Sequence, residues 1–315
     1  MTKPAARQKL YRNGFYAMAT RFFMLIPDVD ESTGDLLFQR IRQETDRIES
    51  KLSRFIAESE LTRINRNAGR GTVKTDEEMF EILEACRYMS ERTGGAFDIT
   101  LRPLTEYWGR GGSGQTEDDL EKLKSMTGYQ KVNLQPEMRG VSFEEERVEL
   151  DLGGFGKGYA LENVNTILQK NSVSGAFITF GESSILALGE HPAGGAWKVG
   201  IRNLRDPAAS IHEFQVSGGS VSTSSNIRLD DEDNLHHRKH VINPKTARPV
   251  ENMKSVSVSA PSPILAEMFS TAALAMEDEE ITELMQEYDD VEVIRVDYSS
   301  KEPDLMHLQT ESMTE

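Results

Sequence analysis

Cysteine and long apolar stretches are the two features that this sequence most clearly lacks. The chain of 315 residues has one cysteine, Cys86, which excludes an internal disulfide and a cluster of thiolate metal ligands. No stretch approaches about 18 apolar residues, so we expect no transmembrane segment. The first ten residues are polar and basic, without the apolar core of a signal peptide. These absences favour a soluble, cytoplasmic protein; an exported form from which a leader was removed stays the alternative.

Basic residues are also in short supply, since 36 lysines and arginines face 52 aspartates and glutamates and the formal net charge is -16. A uniform acidic excess repels nucleic acid and anionic membranes, and we expect neither as a partner. The same charge repels an anionic cofactor, so a diphosphate ligand would need a local site of backbone N–H groups, cations or a metal. Solubility alone is the alternative explanation of the charge.

The distribution of apolar residues predicts helices and strands in irregular alternation. Helical spacing predicts helices over 35–52, 76–93, 158–170 and 263–276. Strands are predicted over 15–26, 176–188, 197–201, 255–260 and 291–296, with two more around a turn within 130–150, the second reaching 148–150. Because several strands follow one another directly, the pattern favours an α+β fold with mixed or antiparallel sheets. We expect an N-terminal tail over 1–14, one domain over 15–296 and a polar tail over 297–315.

A glycine-rich segment, 151–160, carries the strongest chemical signal. It holds four glycines and Lys157 between the strand predicted to end at Leu150 and the helix that follows. Glycines at a strand-to-helix turn let the backbone approach a ligand closely, and a helix N-terminus offers free N–H groups that suit phosphate. The spacing fits neither the GxxxxGK[ST] P-loop nor GxGxxG. A tight structural turn with an exposed lysine is the alternative.

Two later segments carry polar groups suited to an oxyanion and to proton transfer. The hydroxyl run over 221–226 includes Thr223 and could donate several hydrogen bonds, although a solvated loop is the simpler explanation of that run by itself. His240 adjoins a short strand that ends in an Asn-Pro turn. A histidine can accept a proton from an attacking hydroxyl near pH 7, and a purely structural histidine is the alternative.

The helix predicted over 263–276 presents oxygen atoms on one face. Glu267 and Thr271 are four residues apart and share that face, with Ser270 alongside. A carboxylate with hydroxyls forms a set of hard oxygen ligands that suits Mg²⁺, which keeps water and substrate phosphate. An ordinary first-turn glutamate on a partly buried helix is the alternative. The sequence has no Gly-x-Ser-x-Gly elbow, so a serine hydrolase has no support.

Taken in order, these segments resemble the ApbE-like FAD:protein FMN transferases. The family's opening Met-Gly-Thr strand stands here as Met18-Ala19-Thr20, and its S-x-F-x-x-x-S-E-L-x-R-I-N motif is matched by 53–65. The next block is matched by 93–98 with Pro103-Leu104 and Trp108-Gly109. The glycine-rich segment, Thr223-Ser224, His240-Val241-Ile242 and the 266–272 helix follow in the family's order. The resemblance covers about 15–276 and implies a T-fold-like architecture of two interleaved subdomains.

The resemblance implies a site for FAD and a divalent metal. FAD would contact Met18, Phe55, Ala96, Phe97, Asp98, Asp151, Lys157, Thr223 and Ile242, and the metal would take the Gly154 carbonyl and the side chains of Glu267, Ser270 and Thr271. It implies a Mg²⁺-dependent transfer in which a threonine or serine hydroxyl of an acceptor flavoprotein attacks the FMN-side phosphorus and AMP leaves. His240 would act as the base for that hydroxyl or as a hydrogen-bond donor to the phosphate.

The chain departs from the family pattern at several site positions. Glu267 replaces the usual aspartate of the metal helix and is one methylene longer, Asn243 replaces an aspartate, and Ala19 and Ala247 replace glycines. Gly181-Glu182-Ser183 stands where Gly-Gly-Asn or Gly-Gly-Asp is common. These departures keep two alternatives open: an FAD pyrophosphatase that releases FMN and AMP, and an FAD-binding protein without catalysis.

Overall fold

The helices and strands of the chain are defined by a computed structural model that describes residues 9–109, 116–230, 232 and 234–308. The α-helices are α1 (Glu31–Leu52), α2 (Glu60–Asn67), α3 (Glu77–Arg92), α4 (Arg102–Gly109), α5 (Glu117–Lys124), α6 (Gly156–Lys170), α7 (Pro263–Ala273) and α8 (Asp278–Met285). The β-strands are β1 (Leu10–Ala17), β2 (Thr20–Pro27), β3 (Val73–Lys74), β4 (Val132–Gln135), β5 (Gly140–Phe143), β6 (Ala176–Phe180), β7 (Ser184–Leu188), β8 (Trp197–Asn203), β9 (Asp206–Val216), β10 (Gly218–Ser225), β11 (Ile227–Leu229), β12 (Leu235–His237), β13 (Ile242–Asn243), β14 (Arg248–Pro249), β15 (Lys254–Ala260), β16 (Glu292–Asp297) and β17 (Asp304–Leu308).

A central antiparallel sheet organises the fold. Its eight strands lie in the order β1-β2-β6-β7-β10-β15-β16-β17, and each neighbouring pair runs antiparallel. Beside it, β3, β5 and β4 form a three-stranded sheet, and β8–β9, β11–β12 and β13–β14 form antiparallel pairs. Helices and antiparallel sheets are thus combined in one α+β fold, and this prediction is confirmed.

Both faces of the central sheet are covered. Successive side chains of a strand point to opposite faces. On one face, Val256 and Val258 of β15 belong to the core that includes the apolar sides of α1, α6 and α7. On the other face, Ile294 and Val296 of β16 pack under the β8–β9 hairpin with Trp197. Polar side chains on the central strands must therefore find their partners inside the protein.

The helix predictions are confirmed with small shifts of the ends. α3 begins at Glu77 because the Asp76 side chain accepts a hydrogen bond from the Met79 N–H at 2.8 Å, the N-cap that the sequence predicts. α1 begins at Glu31, earlier than expected, where Asp30 provides the cap. None of the described helices, including the 22-residue α1, has the length and apolar character needed to cross a membrane.

The single strand predicted over 15–26 is wrong, because this segment lies in the hairpin of β1 and β2. The turn is the pair Met18-Ala19, with φ of 50° and 59°. Positive φ at both central residues suits the twist of a two-residue hairpin, but glycine, asparagine or aspartate normally marks it. Methionine and alanine are not among these residue types, so nothing in the sequence indicates that the chain turns back between β1 and β2.

The strand predicted over 148–150 is also wrong. Leu150 forms its hydrogen bonds with a side chain: its N–H donates to Asn65 Oδ1 at 2.8 Å, and Asn65 Nδ2 donates to its carbonyl at 2.9 Å. The carboxamide of Asn65 satisfies both backbone groups, as a neighbouring strand would do. This contact ties the start of the glycine-rich segment to α2, and it gives the last residue of the 53–65 motif a structural role.

The ends of the fold differ from the predicted tails. β1 begins at Leu10, inside the expected tail over 1–14, and β17 pairs with β16 inside the expected tail over 297–315. An edge strand is held by main-chain hydrogen bonds, which polar residues form as well as apolar ones. Polar composition is therefore a poor guide to 304–308. Residues 1–8 and 309–315 of the expected tails lie outside the described residues.

The hydroxyl-rich run over 221–226 is mostly strand β10 rather than a solvated loop. β10 lies between β7 and β15 in the middle of the sheet, and both Ser220 and Ser222 are buried. Because alternate residues share a face, Ser222 and Ser224 both reach α7, where they contact Glu267 and Ser270. The sheet thus presents hydroxyl groups to the helix that carries the predicted metal ligands.

Candidate active site

A cavity of about 660 Å³ lies at the end of the central sheet, where the β1–β2 and β6–β7 turns meet the start of α6 and the last turn of α7. Most of the residues predicted for the site line this cavity. They are Met18, Ala96, Phe97, Asp98, Asp151, Gly154, Lys157, Thr223, His240, Ile242, Glu267 and Thr271. Folding therefore brings together residues that are spread over most of the sequence.

Charge is balanced in the wall of this cavity, although the chain as a whole carries a net charge of -16. Its acidic side chains are matched in number by basic ones, and apolar residues such as Leu101 and Leu274 complete the lining. The charged lining residues are Asp98, Asp151, Glu267, Arg102, Lys157 and Arg238. A local balance of this kind removes the general repulsion that an anionic ligand would meet elsewhere.

Phe55 and Ser270 are the two predicted site residues that do not line the cavity. Phe55 is 81% exposed between α1 and α2, and the guanidinium carbon of Arg54 lies 4.1 Å from its ring centroid. Since Arg54 Nε is also 2.8 Å from Asp151 Oδ2, Arg54 stands between Phe55 and the glycine-rich segment. Ser270 is buried beneath the wall, where its Oγ lies 3.0 Å from Ser224 Oγ.

Side-chain hydrogen bonds hold the glycine-rich segment at the start of α6. Asp151 Oδ1 accepts from the Gly153 N–H at 2.9 Å, and Asn65 holds the preceding Leu150. α6 then begins at Gly156, and its N-terminus receives no side-chain cap from the described residues. In the first turn, the Gly156 N–H donates to the Leu152 carbonyl at 2.9 Å, whereas the N–H groups of Lys157 and Gly158 have no partner among the described residues. These two groups are open to an anion beside the Lys157 ammonium group.

Lys157 of α6 and Glu267 of α7 form an ion pair between Nζ and Oε1. Glu267 is only 3% exposed, and its second oxygen, Oε2, accepts hydrogen bonds from Ser184 Oγ at 2.7 Å and Ser222 Oγ at 2.9 Å. A buried carboxylate is tolerated when a counter-ion and hydrogen bonds compensate the loss of water. Lys157 supplies the charge here, and β7 and β10 supply the hydroxyl groups.

Oxygen atoms suited to a divalent cation surround the same turn of α7. The hydroxyls of Thr271 and Ser270 donate to the Glu267 backbone carbonyl at 2.9 Å and 3.1 Å. A Cβ atom added to Gly154 would lie 3.2 Å from Thr271 Oγ1, so the glycine-rich turn adjoins this hydroxyl. A hydroxyl that donates its proton to the helix keeps lone pairs for a cation. With the Glu267 carboxylate, these hard oxygen ligands fit Mg²⁺.

The described residues contain no group of three or more histidine, cysteine, aspartate or glutamate side chains that could hold a metal ion. A cation at the α7 turn would therefore depend on one carboxylate together with hydroxyl, carbonyl and ligand oxygens. Mg²⁺ is commonly bound in this way, through few carboxylates and the phosphates of its substrate.

His240 is partly buried in the cavity wall, and one of its ring nitrogens lacks a partner. Its Nδ1 is shielded from solvent and has no hydrogen-bond partner among the described residues. Burial lowers the pKa of the imidazole below its ordinary value, and the positive charge of Arg238 lowers it further. The ring is therefore neutral near pH 7, which is the state that a general base requires.

Asp98 borders the cavity while its carboxylate holds the surrounding loops together. Oδ1 accepts from the N–H and the hydroxyl of Thr100 at 2.8 Å and 2.7 Å, and Oδ2 accepts from the Tyr129 N–H at 2.9 Å. Burial raises the pKa of the Asp98 carboxyl group. Asp98 thus shapes the cavity wall through these hydrogen bonds to Thr100 and Tyr129.

Most of the chain, including all of these cavity residues, lies within the region that matches a known family. The sequence profile of the ApbE family matches residues 18–295. The chain belongs to the ApbE family. Two curated relatives are named FAD:protein FMN transferase. The Escherichia coli K12 protein is 26% identical over 278 residues, 85% of this chain and 79% of the relative. A Klebsiella pneumoniae protein is 25% identical over 293 residues, 91% and 89% of the two chains. Because the chain belongs to this family and its relatives are named as transferases, the chain is a transferase enzyme.

Solved structures confirm that the fold is that of ApbE proteins. The ApbE protein of Thermotoga maritima superimposes with a TM-score of 0.81 at 23% identity, covering 96% of this chain and 98% of that one. The structure titled flavin transferase ApbE from Vibrio cholerae has a TM-score of 0.81 at 20% identity, covering 97% and 98%. At these identities the agreement concerns the architecture.

Two polar residues of this ApbE-family site, Ser184 and Arg238, escape prediction from the sequence, whereas Ser222 and Ser224 belong to the predicted hydroxyl run over 221–226. Ser184, Ser222 and Ser224 contact the α7 residues Glu267 or Ser270, and Arg238 lines the cavity near His240. The alternation of serine with other residues over 220–224 has the period of a strand, and that signal could have predicted that Ser222 and Ser224 share one face. Ser184 and Arg238 have no comparable pattern around them.

Proposed function

We propose that the chain transfers the FMN half of FAD onto a threonine or serine hydroxyl of an acceptor flavoprotein, with a divalent cation such as Mg²⁺, and releases AMP. One observation carries the proposal: a lysine, a helix N-terminus with two free N–H groups, a group of oxygen ligands and a histidine border one cavity. The cavity volume of about 660 Å³ is typical of cofactor sites. The names of the relatives support this choice of substrates.

The pyrophosphate of FAD would lie against the first turn of α6. Lys157 offers a positive charge there, and the N–H groups of Lys157 and Gly158 offer hydrogen-bond donors. Phe55 would join the contacts from the rim. The other proposed FAD contacts, all in the cavity lining, are Met18, Ala96, Phe97, Asp98, Asp151, Thr223 and Ile242.

The cation would be held by Gly154, Glu267 and Thr271, with Ser270 beneath them. When bound, Mg²⁺ supplies positive charge that neutralises the phosphate oxygens. The Thr271 hydroxyl points its proton at the helix backbone, so its oxygen is oriented for such a role. The Ser270 hydroxyl lies 3.1 Å from both the Glu267 carbonyl and Ser222 Oγ. Phosphoryl transfer depends mainly on positioning and charge neutralisation, which these residues can provide.

The transfer exchanges one P–O bond for another. The acceptor hydroxyl oxygen forms a bond to the FMN-side phosphorus, and the bond from that phosphorus to the bridging oxygen breaks. The electron pair of the broken bond leaves with AMP, and the hydroxyl proton passes to His240. The product is FMN joined to the acceptor through a phosphoester. Burial of His240 keeps its ring neutral and therefore able to take this proton.

A single assay separates this function from its alternatives. The chain is incubated with FAD, MgCl₂ and a candidate acceptor domain, and flavin fluorescence on the denatured acceptor is compared with AMP measured by chromatography. We expect one AMP for each attached flavin, and no attachment to an acceptor whose target hydroxyl has been removed. AMP with only free FMN would indicate an FAD pyrophosphatase. FAD binding without AMP would indicate a protein that binds FAD without catalysis.

A further inference from the structure

The ion pair between Lys157 and Glu267 engages both charged groups on which the proposed site depends. Lys157 is the cation beside the first turn of α6, and Glu267 is the carboxylate of the α7 oxygen group. Each side chain is the counter-ion of the other. A phosphate that takes Lys157, or a cation that takes Glu267, must therefore deprive the remaining partner of its counter-ion.

We propose that Lys157 and Glu267 form an interlock, an ion pair that a dinucleotide diphosphate and a divalent cation open together and that neither opens well alone. Ser184 and Ser222 are the positioning residues that hold the Glu267 carboxylate once Lys157 has turned to the phosphate. This inference rests on the proposed function for the two ligands, and it adds that the affinity for each depends on the other.

A diphosphate that binds alone meets a specific cost. It draws Lys157 away, and the Glu267 carboxylate, 3% exposed, then stays in the wall without its counter-ion. Breaking a buried ion pair by removing one partner is strongly destabilising because the other charge is left uncompensated. That carboxylate also repels the phosphate charges beside it.

A cation that binds alone meets the opposite cost. Lys157 Nζ contacts Oε1 of Glu267, while Oε2 accepts hydrogen bonds from Ser184 and Ser222. The cation would share this carboxylate with an ammonium group of like charge, or would displace Lys157 toward a place without a phosphate. Repulsion at this short range is significant even in a partly solvated wall.

Simultaneous binding removes both costs. Lys157 then neutralises phosphate charge, and the cation replaces Lys157 at Glu267, so neither Lys157 nor Glu267 is left without a counter-ion. Linkage requires that each ligand raise the affinity for the other by the same factor. The hydroxyls of Ser184 and Ser222 remain on Oε2 throughout and keep the carboxylate directed at the cation.

Isothermal titration calorimetry measures this coupling without turnover. FAD is titrated into the full chain in EDTA and again in excess MgCl₂, with no acceptor present. We expect MgCl₂ to lower the Kd for FAD about 10-fold or more, a usual size for coupling between sites. The reciprocal titration of MgCl₂ with and without FAD should return the same factor.

Two single variants should change FAD binding in EDTA in opposite directions. Glu267→Gln keeps the size of the side chain and frees Lys157, so FAD should bind about 5-fold tighter in EDTA, and MgCl₂ should add little. Lys157→Met leaves the carboxylate without a counter-ion, so FAD should bind more weakly in EDTA, and MgCl₂ should improve binding more than in the wild type. A merely structural pair would weaken FAD binding in both variants.

The hydroxyl support is tested by Ser222→Ala, with Ser220→Ala as the matched control. Both serines are buried on β10, but Ser220 Oγ donates to the Ile185 carbonyl at 2.6 Å instead of to Glu267. Ser222→Ala should weaken FAD binding in EDTA by about 3- to 10-fold, the effect of one lost hydrogen bond, and should change it less in MgCl₂. Ser220→Ala should leave both values near those of the wild type.

The outcomes separate the interlock from the proposed function. FAD that binds equally well in EDTA and in MgCl₂ would overturn the interlock and leave the transferase proposal intact. Weaker FAD binding by Glu267→Gln in EDTA would also overturn it. If Glu267→Gln does not fold, equal effects of Ser222→Ala and Ser220→Ala decide against the interlock. A wild-type chain that binds no FAD in either buffer would reject the proposed function itself.

Discussion

Gly158 of α6 lies so close to Glu267 of α7 that a Cβ atom added to Gly158 would be 2.7 Å from the Glu267 Cβ. The same atom would be 2.6 Å from the Pro263 carbonyl oxygen. The two helices can approach this closely because residue 158 has no side chain. Lys157, the preceding residue, is thereby brought within reach of the Glu267 carboxylate.

Gly158→Ala is expected to destabilise the fold and to separate the two helices. Overpacking of this kind lowers the free energy of unfolding by about 1–3 kcal/mol, which urea denaturation can measure. Gly156→Ala is the control, because a Cβ atom there would meet nothing within 4 Å. That variant should be as stable as the wild type or more stable by up to about 1 kcal/mol. Equal stability of the two variants would contradict the close helix contact.

His240→Ala should slow transfer while leaving FAD binding nearly intact. General-base catalysis contributes about 10²–10⁴-fold to the rate, so a loss of at least two orders of magnitude is expected. Single-turnover flavin attachment gives the rate, and calorimetry gives the FAD affinity. An unchanged rate would remove His240 from the mechanism, and a large loss of FAD affinity would instead assign it to phosphate binding.

The pH profile of the transfer should have an acidic limb below the ordinary histidine pKa of about 6.5. Burial and Arg238 lower the pKa of His240, so the neutral base persists to lower pH and activity falls only as the pH drops through that lowered value. His237 lowers this pKa as well, by a smaller amount. Arg238→Met removes the Arg238 charge from these causes and should shift the limb to higher pH. A limb that stays in place would show that a different group titrates.

Thr271→Val should weaken the binding of Mg²⁺, so that activity requires a higher Mg²⁺ concentration. The variant keeps the shape of the side chain and removes the hydroxyl that donates to the Glu267 carbonyl at 2.9 Å. Thr282→Val is the matched control, because its hydroxyl makes the same bond to the Asp278 carbonyl at 2.9 Å, on α8 and away from the cavity lining. A Mg²⁺ titration of activity that is identical in both variants would reject the placement of the cation.

Ala19→Gly should stabilise the chain. Ala19 is exposed and has a φ of 59°, a left-handed conformation that costs a residue with a Cβ about 1 kcal/mol relative to glycine. Thermal unfolding should therefore occur at a higher temperature. Ala17→Gly, at the end of strand β1, is the control and should lower stability, because glycine weakens a strand. A lower melting temperature for Ala19→Gly would show that its methyl group makes contacts that offset the strain.

Local sequence signals are sufficient where local chemistry determines the structure. Asp76 caps α3 as its residue type predicts, and the spacing of Glu267 and Thr271 places both on the same side of α7 beside the cavity. Resemblance to a family supplied the link between distant segments such as those holding Lys157 and His240. No pattern within either segment indicates that the two border one cavity.

The features that escape prediction depend on contacts between distant parts of the chain. Leu150 belongs to no strand because Asn65 takes its hydrogen bonds, and this exchange cannot be derived from the apolar residues of 148–150. The pairing of Lys157 with Glu267 likewise requires the distance between α6 and α7, which Gly158 determines. The distance between two helices cannot be read from the types of their residues.

The carboxamide of Asn65 also has a mechanical consequence. It fastens Leu150 to α2, a helix of eight residues, at the point where the chain enters the glycine-rich segment. A tilt of α2 would therefore pull on the loop leading to α6 without requiring a movement of the central sheet. The next residue, Asp151, is fastened separately, because its N–H donates to the Ile99 carbonyl at 2.7 Å. A displacement of either anchor would therefore reach the cavity wall through the loop that precedes α6.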